Sequence, residues 1–394
     1  MKILHTSDWH LGHMLYNYDR TDEHKHVLDQ IIAIVKEQKP DVMLLTGDVF
    51  HTTNPSASVH RFYNDIMLDL HDAHPSMRIV VTAGNHDGGR RLEETQRLWE
   101  HFSVDVIGNI KRDEDGNISD QHIIEIKDKC FIVAVPHTYA KTEDVFNPLL
   151  QEVEKHNTNN LPVIMTAHMA VAGSDIKGHN TNIIGGMDTR SLSEFGTGYD
   201  YLALGHIHRP QWIDNSESHA RYSGSIIPVS FDEDYEHSVT MIDISRHGEK
   251  IESNTTIIPL TPLREVKTIP DEAVTFEEGL EILQNLDKDD NSYIRLKVKV
   301  KDFLPANSDA KARLAVEGKE CRYCTFLQVH ETSDTTPSDH RSIVIRSHHE
   351  QATPLEVALN YYKQTFGTDM DQELIDLFNI AENTKDDEIT ETDN

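Results

Sequence analysis

The sequence predicts an α/β protein: a sandwich of two sheets with flanking helices, followed by a small α+β module and a C-terminal helix pair. Three observations carry this. Residues 1–87 read as strand, helix, strand, helix, strand, the rhythm of an open α/β sheet. Those strands, and two later ones, end in Asp, Asn or His, at the position where such sheets bind ligands. Past about residue 262 the character changes to short mixed elements and polar connections.

Lys2-Ile3-Leu4-His5-Thr6-Ser7 is a short strand that delivers Asp8-Trp9-His10-Leu11-Gly12 at its end. Val27, Leu28, Ile31, Ile32 and Val35 recur at helical spacing over about 24–38, and Pro40 stops that helix. Asp41 to Leu45 is a buried strand running into Thr46-Gly47-Asp48-Val49-Phe50-His51, and about 58–70 reads as a second amphipathic helix. Arg78 to Val81 is apolar and β-branched, and Gly84 lets the chain turn so that Asn85, His86 and Asp87 face a common point. Arg91 to Phe102 reads as one more helix, and 104–135 as strands around the turn Asp115-Gly116-Asn117.

A further strand, Leu161 to Ala167, ends on His168, and Tyr199 to Gly205 carries His206-Ile207-His208 at its tip. Between them, 169–198 is rich in Gly and Asn, long enough for a functional loop over the site. The segments 221–225, 228–231, 238–244 and 251–260 suggest a second, antiparallel sheet packed on the first. Beyond Pro262 we expect a helix over 276–286, a strand over 293–300, a helix over 310–316 and a strand over 326–330. Thr353-Pro354-Leu355-Glu356 is a capping box with proline at the first helical position. Leu355, Leu359, Tyr362 and Phe366 make one apolar face and Met370, Leu374, Leu377 and Phe378 a second. Helices this short need a surface to dock on. The expected domains are 1–262, 263–348, the helix pair 349–380 and an acidic, disordered tail 381–394.

The formal net charge of −30 argues against a protein that grips nucleic acid unaided, because phosphate binding leaves a basic footprint. It leaves room for an enzyme whose site carries its own divalent cations and whose partner supplies basic surface. Cys130, Cys321 and Cys324 make no disulfide framework, and one isolated Cys-x-x-Cys is a poor zinc site. No run reaches the ~18 apolar residues of a membrane span, so the expectation is a soluble, cytoplasmic protein without a membrane partner.

Collected, the strand-end residues are Asp8, His10, Asp48, Asn85, His168, His206 and His208. Two carboxylates, an amide oxygen and four imidazoles suit a pair of borderline transition ions such as Mn²⁺, and are too nitrogen-rich for Ca²⁺ or for Mg²⁺ alone. In an extended segment residues i and i+2 point the same way, so Asp8 with His10, and His206 with His208, can each close on one ion. Asp48, from the middle strand, is the natural bridge between ions ~3.5–4 Å apart. Such a site does hydrolytic phosphoryl chemistry. His86, beside Asn85, is left to protonate the leaving oxygen, with Asp87 holding its imidazole. His51 follows Asp48 by three residues and lies within reach of a substrate phosphate. Singly, each of these is more often a cap, a turn residue or a solvated group. Jointly, five strand ends bearing such side chains are not an accident of composition. His5, His13, His24 and His26 lack that arrangement and read as structural.

The order Asp8-x-His10, Gly47-Asp48, Gly84-Asn85-His86-Asp87, His168, Gly205-His206-x-His208 resembles the calcineurin-like metallophosphoesterases. The fuller wording narrows it. Thr6 to Gly12, Gly47-Asp48-Val49-Phe50, Ser223-Gly224-Ser225 and Pro228-x-Ser230-Phe231-Asp232-Glu233 look like the SbcD family of bacterial nuclease subunits. The resemblance implies two Mn²⁺ ions, with Mg²⁺ as a substitute: one on Asp8, His10, Asp48 and His208, the other on Asp48, Asn85, His168 and His206. It implies His86 as the catalytic histidine and a part for His51, at a position where some bacterial members carry aspartate. It also implies DNA as substrate, cut as a double-strand 3′-to-5′ exonuclease and as an endonuclease at hairpins and blocked ends. The partner it implies is an SbcC-type coiled-coil ATPase in DNA recombination and repair. The implied assembly is a homodimer, formed through the helix at about 56–71, within a heterotetramer. The module at 263–348 corresponds to a capping domain and the helix pair to the part that grips the ATPase. Arg90, Arg91, Lys177 and Arg209 lie near these motifs as candidate phosphate contacts. The competing readings are a phosphodiesterase for a small nucleotide or other phosphoester, and a non-catalytic scaffold.

Overall fold

The computed structural model describes residues 1–138, 144–178, 189–213, 219–248, 254–301, 304–330, 370–371 and 374–375. The chain divides into two compact units, Met1–Glu331 and Thr332–Asn394. In the second, Leu374 and Ile375 are helical, and the Leu374 N–H donates to Asp371 Oδ1 at 3.0 Å. The rest of the expected helix pair and the acidic tail lie outside the described residues.

Two mixed sheets form the heart of the first unit. In one, Lys2–Thr6, Val42–Thr46, Arg78–Thr82 and Val104–Ile107 run parallel, and Ser238–Asp243 and Thr255–Pro259 extend it antiparallel beside Lys2–Thr6. In the other, Ala220–Tyr222, Tyr201–Gly205, Val163–His168 and Cys130–Ala134 are parallel, flanked by the antiparallel edges Gln211–Ile213 and Ile123–Ile126. Strands buried on both faces read as continuous apolar runs. Ile3, Val42, Leu44, Val80, Ile132, Ile164 and Ala203 interdigitate between the sheets. Leu4, Met43, Leu45 and Val81 face outward under the helices Thr21–Gln38 and Ala57–Ala73. Val133, Met165, Leu202 and Leu204 do the same under Phe146–His156. The architecture is helix, sheet, sheet, helix, as the sequence predicts.

One pairing differs from expectation. The strands Ser238–Asp243 and Thr255–Pro259 do not build the second sheet; they widen the first. Alternation shows which face of a strand is buried and not which neighbour it pairs with. The second sheet takes Ala220–Tyr222, as expected, together with Tyr201–Gly205 and Val163–His168, expected in the first, so the ligand-bearing tips divide three and two between the sheets. The expected helix over 91–102 is broken into Gly89–Glu93, Gln96–Trp99 and a 3₁₀ turn at Glu100–Phe102.

The α+β module is a parallel sheet of Val266–Val274, Tyr293–Val300 and Arg322–His330 covered by the helices Phe276–Asn285 and Ser308–Ala315, with a core of Leu283, Ile294, Leu296, Val298 and Tyr323. The first of these strands escapes a sequence reading because Pro270 interrupts it, which only an edge strand tolerates. The module packs on the sandwich. Tyr293 Oη donates to Glu23 Oε1 at 2.5 Å, Tyr18 Oη to the Tyr323 carbonyl at 3.1 Å, and Arg322 lies 3.6 Å from Glu23.

Candidate metal centre

The parallel strands of the two sheets bring their C-terminal ends to one edge of the sandwich. The turns that follow are strained: Asp8, His10, Asp48 and His206 all have positive φ, at 52°, 46°, 49° and 98°. Non-glycine residues adopt this region rarely, Asp and His more readily than most, and four of them crowd into these turns. Glycines permit the approach. A Cβ at Gly47 would lie 2.1 Å from His168 Nδ1, and one at Gly84 would lie 2.1 Å from Asp48 Oδ1.

All seven expected ligand residues meet there. His10 Nε2 and His208 Nε2 face each other at 3.1 Å. His168 Nε2 and His206 Nδ1 lie 3.1 and 2.9 Å from Asn85 Oδ1. Asp48 stands between the two groups, with Oδ2 at 3.3 Å from His168 Nε2 and 3.7 Å from His10 Nε2. The Asp8 carboxylate accepts the His206 backbone N–H at 3.1 Å. Donor atoms of Asp8, His10 and His208 lie within 4.8 Å of one another, as do those of Asp8, Asp48 and His168.

These residues fit a divalent-cation centre. The His168 Nδ1–H donates to the Thr46 carbonyl at 2.8 Å, which leaves Nε2 bare toward the carboxylates. Two imidazole Nε2 atoms opposed at 3.1 Å either share a proton or converge on a cation. The electrostatics agree. Burial lowers the proton affinity of His168 and His208, yet the Asp48 carboxylate beside the first and Glu233 beside the second outweigh it and take each pKa up to about 9. With no ion between them these imidazoles therefore take up protons, which a divalent cation bound at the Nε2 atoms would displace. Burial holds the Asp8 carboxyl above its ordinary value.

His86 and His51 stand beside these residues, their rings 5.0 and 5.5 Å from that of His10. The expected pairing of Asp87 with His86 does not form. The His86 Nδ1–H donates to the His51 carbonyl at 2.9 Å, while Asp87 accepts the backbone N–H groups of Phe50, Val49 and Gly84 at 2.9, 3.1 and 2.8 Å. Those donors are buried and otherwise without an acceptor, so Asp87 ties the Asp48 turn to the Asn85 turn. Sequence reading also missed Glu233 and His137. Glu233 Oε1 lies 3.0 Å from His208 Nδ1, and the His137 Nδ1–H donates to the His168 carbonyl at 2.9 Å. Glu233 sits in a recognisable run of residues, but nothing local ties it to a histidine 25 positions away.

Three of the four candidate cations are engaged. Lys177 pairs with Asp234 at 2.8 Å, Arg209 with Asp175 at 2.8 Å, and Arg91 donates to Asn54. Arg90 lines a cavity of about 510 Å³ with Gly84, Asp87, Glu93, Asn109 and His137.

Residues 1–210 match the family model of the calcineurin-like phosphoesterases. The chain belongs to this family. It is similar to the SbcD component of nuclease SbcCD from Rhodobacter capsulatus, at 32% identity over 62% of this chain and 67% of that protein. The protein of the same name from Bacillus subtilis is 28% identical over 96% of this chain and 97% of its own length. The one from Escherichia coli K12 is 31% identical over 61% and 65%. Family membership and donor set together make the chain a metal-dependent phosphodiesterase. Among the described residues no helix is long and apolar enough to cross a membrane.

Proposed function

We propose that the chain is the Mn²⁺-dependent nuclease subunit of an SbcCD-type complex, acting on DNA with an SbcC-type ATPase in recombination and repair. The observation that carries this is the meeting of Asp8, His10, Asp48, Asn85, His168, His206 and His208 from five strand ends at one point. The relatives that bear the SbcCD name support the substrate and the partner. The two ions, once bound, lower the pKa of a water and offset charge on the phosphate oxygens. Asp48 and Asp8 orient that centre, while the Thr46 carbonyl and Glu233 hold His168 and His208 with their bare nitrogens inward. His86 is fixed through Nδ1–H by the His51 carbonyl, and in its imidazolium form it gives the Nε2 proton to the leaving oxygen and is left neutral.

In this reading the activities are double-strand 3′-to-5′ exonuclease and endonuclease at hairpins and blocked ends. The module at 263–348 is the capping domain, the helix Ala57–Ala73 forms the homodimer within a heterotetramer, and 349–380 grips the ATPase. The acidic chain then relies on its partner for DNA-binding surface. The test is incubation of the pure chain with Mn²⁺ and a labelled DNA hairpin, with and without the ATPase. Cleavage of the hairpin is expected. Hydrolysis of bis-p-nitrophenyl phosphate without DNA cleavage under either condition would make the chain a phosphodiesterase for small esters.

A further inference from the structure

The segment that carries Glu233 joins the metal centre to the α+β module. Glu233 is 6% exposed, and its two oxygens have separate partners. Oε1 lies 3.0 Å from His208 Nδ1, while Oε2 accepts the Val229 N–H at 3.2 Å and the Ser225 hydroxyl at 3.3 Å. The two residues before it are gripped by the module. Arg295 Nη2 donates to Asp232 Oδ1 at 2.8 Å and to the Phe231 carbonyl at 3.4 Å, and its guanidinium lies 5.2 Å from the centre of the Phe231 ring. Phe231 packs with Leu15 of the sandwich and with Tyr293 and Cys324 of the module.

We propose that Glu233 is a positioning residue that holds His208 in the tautomer with Nδ1–H and a bare Nε2, and that Arg295 sets Glu233 in place by clamping Phe231 and Asp232. The proposal rests on the reading of His208 as a metal ligand. A neutral imidazole carries one proton, and a carboxylate can only accept, so the Glu233 contact selects which nitrogen is left to bind. Arg295 supplies two hydrogen bonds and a ring contact to the residues one and two positions before that carboxylate. Metal affinity therefore depends on a module that contributes no ligand.

Glu233→Gln tests this with little change of shape. The amide oxygen must stay with the Val229 N–H, which only donates, so the NH₂ group turns to His208 and forces its proton onto Nε2. Calorimetric titration of the full chain with Mn²⁺ is expected to show affinity lower by about 10–100-fold. ¹⁵N-histidine spectra of the metal-free chain, recorded at a pH above about 9 where the imidazole is neutral and with the His208 signal assigned by its loss in His208→Asn, are expected to show the switch from Nδ1–H to Nε2–H. Arg295→Ala is expected to weaken Mn²⁺ by a smaller factor and to add nothing on top of Glu233→Gln, because both act through one path. Unchanged Mn²⁺ affinity and an unchanged His208 tautomer in Glu233→Gln would overturn the proposal. If that variant fails to fold, wild-type affinity in Arg295→Ala overturns it. A wild-type chain that takes up no Mn²⁺ would instead defeat the metal-centre reading, and the tautomer in metal-free protein still decides the role of Glu233.

Discussion

His86 and Asp87 are neighbours in sequence and turn to different tasks. One faces the cavity from the His51 carbonyl, and the other satisfies three buried backbone donors. The His86 ring makes no hydrogen bond to the expected ligands, although one of its nitrogens lies within 4.8 Å of nitrogens of His10 and His51. His86→Ala is expected to keep the metal stoichiometry of the wild type, read by metal analysis after dialysis. Turnover of a phosphodiester should fall by roughly 10²–10⁴-fold, the range for a general acid. Loss of manganese in that variant would make His86 a ligand instead. The pairing of Asp87 with His86 was a reasonable expectation from adjacency. It fails because the buried backbone N–H groups left by the turn need an acceptor, whereas the half-buried His86 ring finds one in the His51 carbonyl.

The strand-to-turn joints are the elements on which the centre depends, and Gly47 shows why. Its φ is +84°, and a Cβ there would lie 2.1 Å from His168 Nδ1, whose hydrogen bond to Thr46 aims the ring. Gly47→Ala is expected to lower Mn²⁺ affinity by more than about tenfold and to destabilise the fold by roughly 1–3 kcal/mol, measured by titration and by urea unfolding. A variant equal to wild type in both would mean that the two sheets yield at this joint. The joints were legible because ligand residues and glycines fall together where apolar runs stop, at Thr46-Gly47-Asp48 and Ala83-Gly84-Asn85. The partner of each strand was not. Ser238–Asp243 pairs with Lys2–Thr6 across more than two hundred residues, and no local pattern encodes that choice.

At the scale of the molecule, the two sheets are linked by a buried polar group as well as by apolar packing. His5, on the inner face of the first sheet, lies 2.7 Å from Tyr201 Oη of the second and 3.0 Å from Thr46 Oγ1. Burial, with Arg221 nearby, pushes its pKa down to about 3. The unfolded chain binds this proton near pH 6.5 and the native state does not. The contribution of His5 to stability is therefore full above about pH 6.5 and falls as the pH drops from there toward 3, by about 1.4 kcal/mol per pH unit. Urea unfolding between pH 6 and 4 checks this. His5→Gln is expected to give a slope shallower by about one proton, and identical slopes would remove His5 from the account. For the second unit, deletion from residue 351 onward is expected to abolish co-purification with an SbcC-type ATPase while sparing hydrolysis of bis-p-nitrophenyl phosphate. Unchanged complex formation would place the ATPase contact elsewhere on the chain.

The sequence by itself determined the main strand and helix order of residues 1–87, the polar tips of five strands and the donor types that suit two cations. It could do so because burial patterns, glycine turns and ligand chemistry are all written over a few neighbouring residues. Only the tertiary structure decided which strands share a sheet, that Asp87 serves the backbone, and that Glu233 reaches His208 from a segment held by the module. Those are contacts between residues distant along the chain, and their partners are selected by packing geometry that short-range periodicity does not carry.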